Sequence, residues 1–193
     1  MPHKRKGLNY LHDSDLILPK IDGLQLASGP AVTAAVGTAK NGTLGYFEYS
    51  VQDTDFTVVD SGANGGALAV TLFTWPAAMI WVVGSLLEVS VSAAAAGIGA
   101  TGNINIGVGS VAYVADGSDP ATTEIDFLAS LMDFTLVGGI KADQRKEGAA
   151  AGYRDATAGT VKAYLNFYVP AADISADAAL TADVDFRCWY FTL

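Results

Sequence analysis

Polar and apolar positions alternate most cleanly toward the C-terminus. In 161–169, Val161, Ala163, Leu165, Phe167 and Val169 fall on one face of an extended chain, and Lys162, Tyr164, Asn166 and Tyr168 on the other. In 183–190, Val184, Phe186, Cys188 and Tyr190 oppose Asp183, Asp185, Arg187 and Trp189. A period of two marks a strand with one face toward a core. Apolar runs upstream predict further strands over 43–51, 56–59, 67–73, 79–83, 86–91, 104–108, 111–114, 123–127 and 135–137, with the last two over 160–169 and 180–193. Turn formers separate them, as in Asn41-Gly42, Ala63-Asn64-Gly65-Gly66 and Asp116-Gly117-Ser118-Asp119-Pro120. Gly107-Val108-Gly109 reads as another turn, and 141–157 as a surface loop or short helix carrying Lys141, Arg145, Lys146 and Arg154. About eight to ten short strands at this spacing predict an all-β, jelly-roll-like two-sheet sandwich.

The stretch from Ala67 to Leu87 contains no charged residue and is long enough to span a bilayer as a helix. Pro76 breaks it in the middle, Gly84-Ser85 interrupts it again, and Thr, Val, Phe and Trp are frequent in it. Short buried strands with a turn at Thr74-Trp75-Pro76 account for it better than a membrane helix.

Residues 1–35 follow neither pattern. A basic tip of Lys4, Arg5 and Lys6 precedes Leu11, Leu16, Ile17, Leu18, Ile21, Leu24 and Leu26, and Pro19, Gly23 and Pro30 break any helical period. The piece is too short for a core of its own. It reads as an extended N-terminal arm, ahead of a β-sandwich domain over 36–193, whose apolar residues dock on a neighbouring subunit or a larger partner. The opening Met1-Pro-His-Lys-Arg-Lys6 lacks the apolar centre of a signal peptide, so no leader is expected and the sequon at Asn41 reads as coincidental.

Composition narrows the function classes. With 51% hydrophobic and 16% charged residues the chain has material for a core and is not a disordered polymer. Its formal net charge of −9 disfavours nucleic acid and anionic membrane as partners. Between Asn41 and Ile140 there is no Lys or Arg against ten Asp or Glu, which reads as a solvated acidic face; the sharper alternative is that acidic and basic regions meet between subunits. The mean hydropathy of +0.32 is high for a monomer's surface and points to self-association, expected as a homotrimer.

Candidate chemistry is sparse. Both histidines, His3 and His12, lie in the arm, away from any scaffold that could hold a triad. Cys188 is single, which excludes an internal disulfide, and its strand position marks it as a buried apolar residue. Zinc-ligand spacing is missing. The pairs Asp13/Asp15, Asp53/Asp55, Asp116/Asp119 and Asp183/Asp185 do not follow the calcium-loop pattern and read as solvated turns and strand faces. No catalytic residue, cofactor or metal is therefore expected. Tyr46, Phe47, Tyr49, Tyr164, Phe167, Tyr168, Trp189, Tyr190 and Phe191 could line a sugar-binding face, although aromatics on sandwich strands more often serve cores and interfaces.

Across 80–127, the order Leu87-Glu88-Val89-Ser90-Val91, a Gly/Ala-rich turn, Ile104-Asn105-Ile106-Gly107-Val108-Gly109, Ala115-Asp116 and Thr122-Thr123-Glu124-Ile125-Asp126 resembles small virion proteins of tailed bacteriophages, as does the terminal run 184–193. The resemblance implies a jelly-roll decoration (cement) protein on the outer surface of the capsid. Such a protein is made in the host cytoplasm, clamps neighbouring major capsid protein subunits, stabilises the head and is usually a trimer. The arm matches no motif of that family. Its residues Lys4, Arg5, Lys6, Leu11, Leu16, Ile17, Leu18, Ile21 and Leu24 are the expected capsid- or subunit-binding set. The alternative is a phage fibre or carbohydrate-binding β-sandwich module that recognises host glycans.

Overall fold

The computed structural model describes residues 36–37, 44–94, 97–99, 101–128, 130–135, 142–148 and 152–193; the arm residues 1–35 lie outside them. The described residues form β1 (Val36–Gly37), β2 (Leu44–Asp60), β3 (Gly66–Thr74), β4 (Met79–Ala94), β5 (Asn103–Gly109), β6 (Met132–Thr135), β7 (Ala142–Gly148), β8 (Gly152–Asp155), β9 (Lys162–Val169) and β10 (Ala178–Thr192). All pairings are antiparallel. The strand path is β6-β5-β9-β3-β2-β10-β4-β7, with β8 beside β4 and β1 beside β2. β2 joins two sheets: it pairs with β10 along most of its length and with β3 only at Val59 and Asp60. Sheet A is thus β2-β10-β4 edged by β7 and β8, and sheet B is β3-β9-β5-β6. Consecutive strands mostly change sheet while the last strand returns between β2 and β4. This is the jelly-roll sandwich expected from the alternation.

The inner faces make one core. Phe47 and Val51 of β2, Leu87 and Val89 of β4 and Val184, Phe186 and Cys188 of β10 meet Ile104, Ile106, Leu165 and Phe167 of sheet B. Burying each large apolar side chain contributes about 1.5–3 kcal/mol. Trp75, just past β3, is packed edge-on to Phe73 and Tyr190, with ring centroids 4.6 and 5.1 Å away. The uncharged stretch 67–87 is divided between β3 and β4, as its break at Pro76 implied. Among the described residues no helix is long and apolar enough to cross a membrane.

Several local expectations are corrected. Segments 43–51 and 56–59 belong to one strand, bent at a bulge where Gln52 and Asp53 oppose Asp183; Asp53 has φ 45°, and its N–H donates to Asp183 Oδ1 at 2.8 Å. Segments 79–83 and 86–91 are also one strand. Gly84 does not break it, because register shifts there against β10, Trp189 facing Gly84 and Tyr190 facing Val82. The basic insertion 141–157, expected as a loop or helix, supplies β7 and β8, which pair successively with β4 as an edge. Residues 111–114 and 123–127 are not strands: the first is a loop, and the second holds a 3-10 turn at Thr122–Glu124. The strand expected at 135–137 is Met132–Thr135, and residues 136–141 are outside the described set.

Gly107-Val108-Gly109 is not a turn but the end of β5. Its glycines let another segment approach from outside. A Cβ on Gly109 would lie 2.2 Å from the Glu124 carbonyl carbon, and one on Gly107 2.5 Å from Ile125 Cγ2.

Candidate functional site

The two outer faces of the sandwich differ. On sheet B, residues 110–128 fold over β5 and β9, pinned by Asn166. This side chain is fully buried; its Nδ2 donates to Val111 O at 2.9 Å and Glu124 O at 2.8 Å, and its Oδ1 accepts from Tyr113 N at 3.0 Å. Tyr113 packs edge-on against Tyr168 at 5.4 Å and its hydroxyl donates to Ser118 O. Tyr168, on the polar face of β9 by alternation, is therefore buried. Asp126 closes the far end: it accepts from Ser110 N and Oγ at 2.9 and 2.8 Å and pairs with Arg154 at 2.8 Å. The Arg154 guanidinium also lies 5.3 Å from the centre of the Phe127 ring, tying β8 to this loop. Burial outweighs these partners and raises the Asp126 pKa above the ordinary carboxylate value.

Sheet A has no comparable cover among the described residues. Its outer face carries an aromatic strip running across the strands. Tyr46 of β2 and Trp189 of β10 are register partners with ring centroids 5.6 Å apart. Phe191 of β10 and Trp81 of β4 are partners at 5.8 Å, and Trp81 and Tyr153 of β8 are partners at 5.8 Å with planes only 20° apart. Trp81 is 39% exposed and Tyr153 64%, with Met79 and Val83 exposed beside them. Single exposed apolar side chains are ordinary, but a contiguous patch of this kind marks an interaction surface.

A charged cluster adjoins the strip. Arg187, two residues before Trp189, donates from Nε to Glu48 at 3.0 Å and from Nη2 to Asp185 at 2.5 Å, and lies 4.0 Å from Glu88. Three carboxylates from three strands thus surround one guanidinium. Burial, opposed by Arg187, raises the Asp185 pKa, and burial with help from Glu48 pushes the Tyr46 hydroxyl up to about 12. The strip's margin is polar and net acidic.

The nine expected arm residues, Lys4, Arg5, Lys6, Leu11, Leu16, Ile17, Leu18, Ile21 and Leu24, lie outside the described residues. The structure divides the expected aromatic set. Phe47, Tyr49, Phe167 and Tyr190 point into the core, while Tyr46, Trp189 and Phe191 join the strip. Trp81 and Tyr153 were missed. Trp81 sits in 79–83, apolar on both faces, where alternation gives no orientation, and Tyr153 lay in the segment taken for a loop. Of the acidic pairs, Asp13 and Asp15 lie outside the described residues, Asp55 accepts from Thr181 Oγ1 at 2.6 Å and Asp116 from Ser118 N at 2.9 Å. Among the described residues no group of three or more His, Cys, Asp or Glu is placed to hold a metal ion. Cys188 is fully buried, and burial raises its thiol pKa far above the ordinary range.

No protein-family model and no curated protein matches the chain. Among solved structures it is similar to a chain of the cyanophage Pam1 capsid asymmetric unit, with 20% identity over 86% of this chain and 97% of that one, at a TM-score of 0.39. It is also similar to the N-terminal cellulose-binding domain of Cellulomonas fimi β-1,4-glucanase C, with 12% identity over 91% and 97%, at a TM-score of 0.32. Likenesses at this level carry no functional argument, and the reading below rests on the surface itself.

Proposed function

We propose that the protein is a virion structural protein: an outer-capsid decoration, or cement, protein that clamps neighbouring major capsid protein subunits as a homotrimer and stabilises the head. The observation that carries this reading is the aromatic strip on the uncovered face of sheet A. A broad apolar surface with a charged margin suits adhesion to another protein. The arm, about residues 1–30, serves as the main anchor to the capsid or a neighbouring subunit. Its apolar side chains supply most of the affinity, each about 1–2 kcal/mol at about 25 cal/mol per Å². Lys4, Arg5 and Lys6 guide docking with under about 1 kcal/mol each, weakened by salt.

The test is the amount of this chain in purified particles, measured against the major capsid protein on a stained gel. Many copies per particle support a decoration protein; a handful per particle refutes it and supports a fibre. Particle binding by a chain lacking residues 1–30, beside a Lys4/Arg5/Lys6→Ala variant, tests the anchor. The deletion should abolish attachment, and the alanine variant should weaken it mainly at low salt. A second reading, a glycan-binding module, draws on the nearly parallel Trp81 and Tyr153 rings, on which a sugar ring's apolar face would rest. Glycan binding lost in Trp81→Ala, together with low copy number, would favour it.

A further inference from the structure

We propose that the leucine-rich N-terminal segment of one copy, residues 8–26, lies on the outer face of sheet A of a neighbouring copy, across the strip Tyr46–Trp189–Phe191–Trp81–Tyr153. The inference deepens the reading above and rests on its homo-oligomeric part. Three observations bring segment and strip together. First, the strip is apolar surface, exposed at Trp81 and Tyr153 and half-buried at Tyr46, Trp189 and Phe191, and the segment offers matching side chains, Leu11, Leu16, Ile17, Leu18, Ile21 and Leu24. Second, the charges are complementary. Glu48 and Asp185 outnumber Arg187 beside the strip, while Lys4, Arg5 and Lys6 precede the leucines.

Third, the place where the arm joins the fold favours a neighbour. β1 pairs Val36 with Phe47 and Gly37 with Tyr46, so the arm joins the domain at the Tyr46 end of the strip. In this antiparallel register, a segment entering β1 in line with it would come along the β2 edge from the direction of Glu48 and Ser50. That direction leads away from the rows of Tyr46–Trp189 and Phe191–Trp81–Tyr153. To cover its own strip the segment would have to reverse; to reach the next copy's strip it runs on. The stretch 27–35 spans at most about 30 Å, about twice the ~15 Å radius of gyration expected for a domain of this size. Each copy then gives one segment and receives one, a head-to-tail contact that closes into a ring such as a trimer.

The experiment uses the full chain with the photo-crosslinker p-benzoylphenylalanine at Tyr153, an exposed position, co-assembled with a heavy-isotope copy lacking the crosslinker. Peptides joining position 153 to residues 7–26 of the heavy copy are expected. Crosslinks to the same residues within one copy, to any other segment, or none at all, overturn the proposal. As a second measure, Leu16/Ile17/Leu18→Ser and, separately, Trp81→Ser should each weaken self-association in light scattering by roughly a hundredfold or more. Circular dichroism should remain that of the parent. Unchanged association in both variants overturns the proposal as well. Absent crosslinks with abundant copies on particles remove this inference alone; the expected crosslinks with no copies on particles remove the decoration reading instead.

Discussion

Replacing Asn166 with alanine tests how the outer face of sheet B is closed. Its side chain is fully buried and satisfies three backbone groups of the covering segment: Tyr113 N, Val111 O and Glu124 O. After Asn166→Ala the Tyr113 N–H is left buried without an acceptor, at a cost of about 1–3 kcal/mol. The carbonyls of Val111 and Glu124 lie where the chain is partly exposed, so water can replace the lost donor, and each adds about 0.5–1 kcal/mol. The total is about 2–5 kcal/mol, a large share of the ~5–15 kcal/mol by which such domains are stable. For a chain of this size that lowers Tm by roughly 5–15 °C. Asn166→Leu should cost a similar amount, because it restores volume but not the hydrogen bonds. Urea unfolding gives the total, and amide exchange at Tyr113 locates it. A loss under about 1 kcal/mol, or a Tyr113 amide as protected as in the parent, would refute the account of Asn166 as the pin.

Other consequences can be measured on the same domain. Gly109→Ala places a Cβ 2.2 Å from the Glu124 carbonyl carbon, backbone that cannot swing aside. It should therefore destabilise by about 2 kcal/mol or more in chemical denaturation, and a neutral result would mean the 110–128 cover sits farther out. Asp126 binds its proton more tightly folded than unfolded, because burial dominates; its favourable contribution is complete below the unfolded pKa and is lost as pH rises through the raised folded value. The stability of the parent relative to Asp126→Asn should thus shrink as pH rises above the ordinary carboxylate value of about 3.9, and a difference that grows instead refutes the sign. Cys188, fully buried with its thiol pKa raised, should resist thiol reagents in the folded protein by at least about a thousandfold and react at the rate of unfolding; prompt labelling would place the sulfur near solvent.

The jelly roll was legible where one strand face is polar. β9 and β10 alternate strictly, and the inward residues Ala163, Leu165, Phe167, Val184, Phe186 and Cys188 are buried; on β9 Asn166 and Tyr168 of the other face are buried too, beneath the 110–128 cover. Legibility failed where both faces carry apolar or small residues. β4 reads as two runs because the outward side chains of its first part, Met79, Trp81 and Val83, are as apolar as its inward ones and a bulge shifts the period at Val83 and Gly84. β7 and β8 were hidden for the opposite reason. Charge and glycine dominate 141–157, and its strand character comes from pairing with the β4 edge, a tertiary contact that local propensity does not encode. The strip depends on cross-strand register, so residues more than a hundred positions apart in sequence, such as Tyr46 and Trp189, become neighbours only in the fold.

Residue size on the outward positions explains why, among the described residues, one face is covered and the other is not. On sheet B, Gly107 and Gly109 present no side chain, and Ala67 and Ala69 stand opposite Tyr168 and Asn166 on β9. Backbone can approach such a surface, and 110–128 does so, with Asn166 meeting its polar groups. On sheet A the outward positions carry Tyr46, Trp81, Tyr153, Trp189 and Phe191, which hold any backbone away and offer side-chain faces instead. A covering loop gains little there. Leucine and isoleucine side chains from another segment gain the burial of both surfaces. The chain carries such side chains ahead of β1, at Leu11, Leu16, Ile17, Leu18, Ile21 and Leu24.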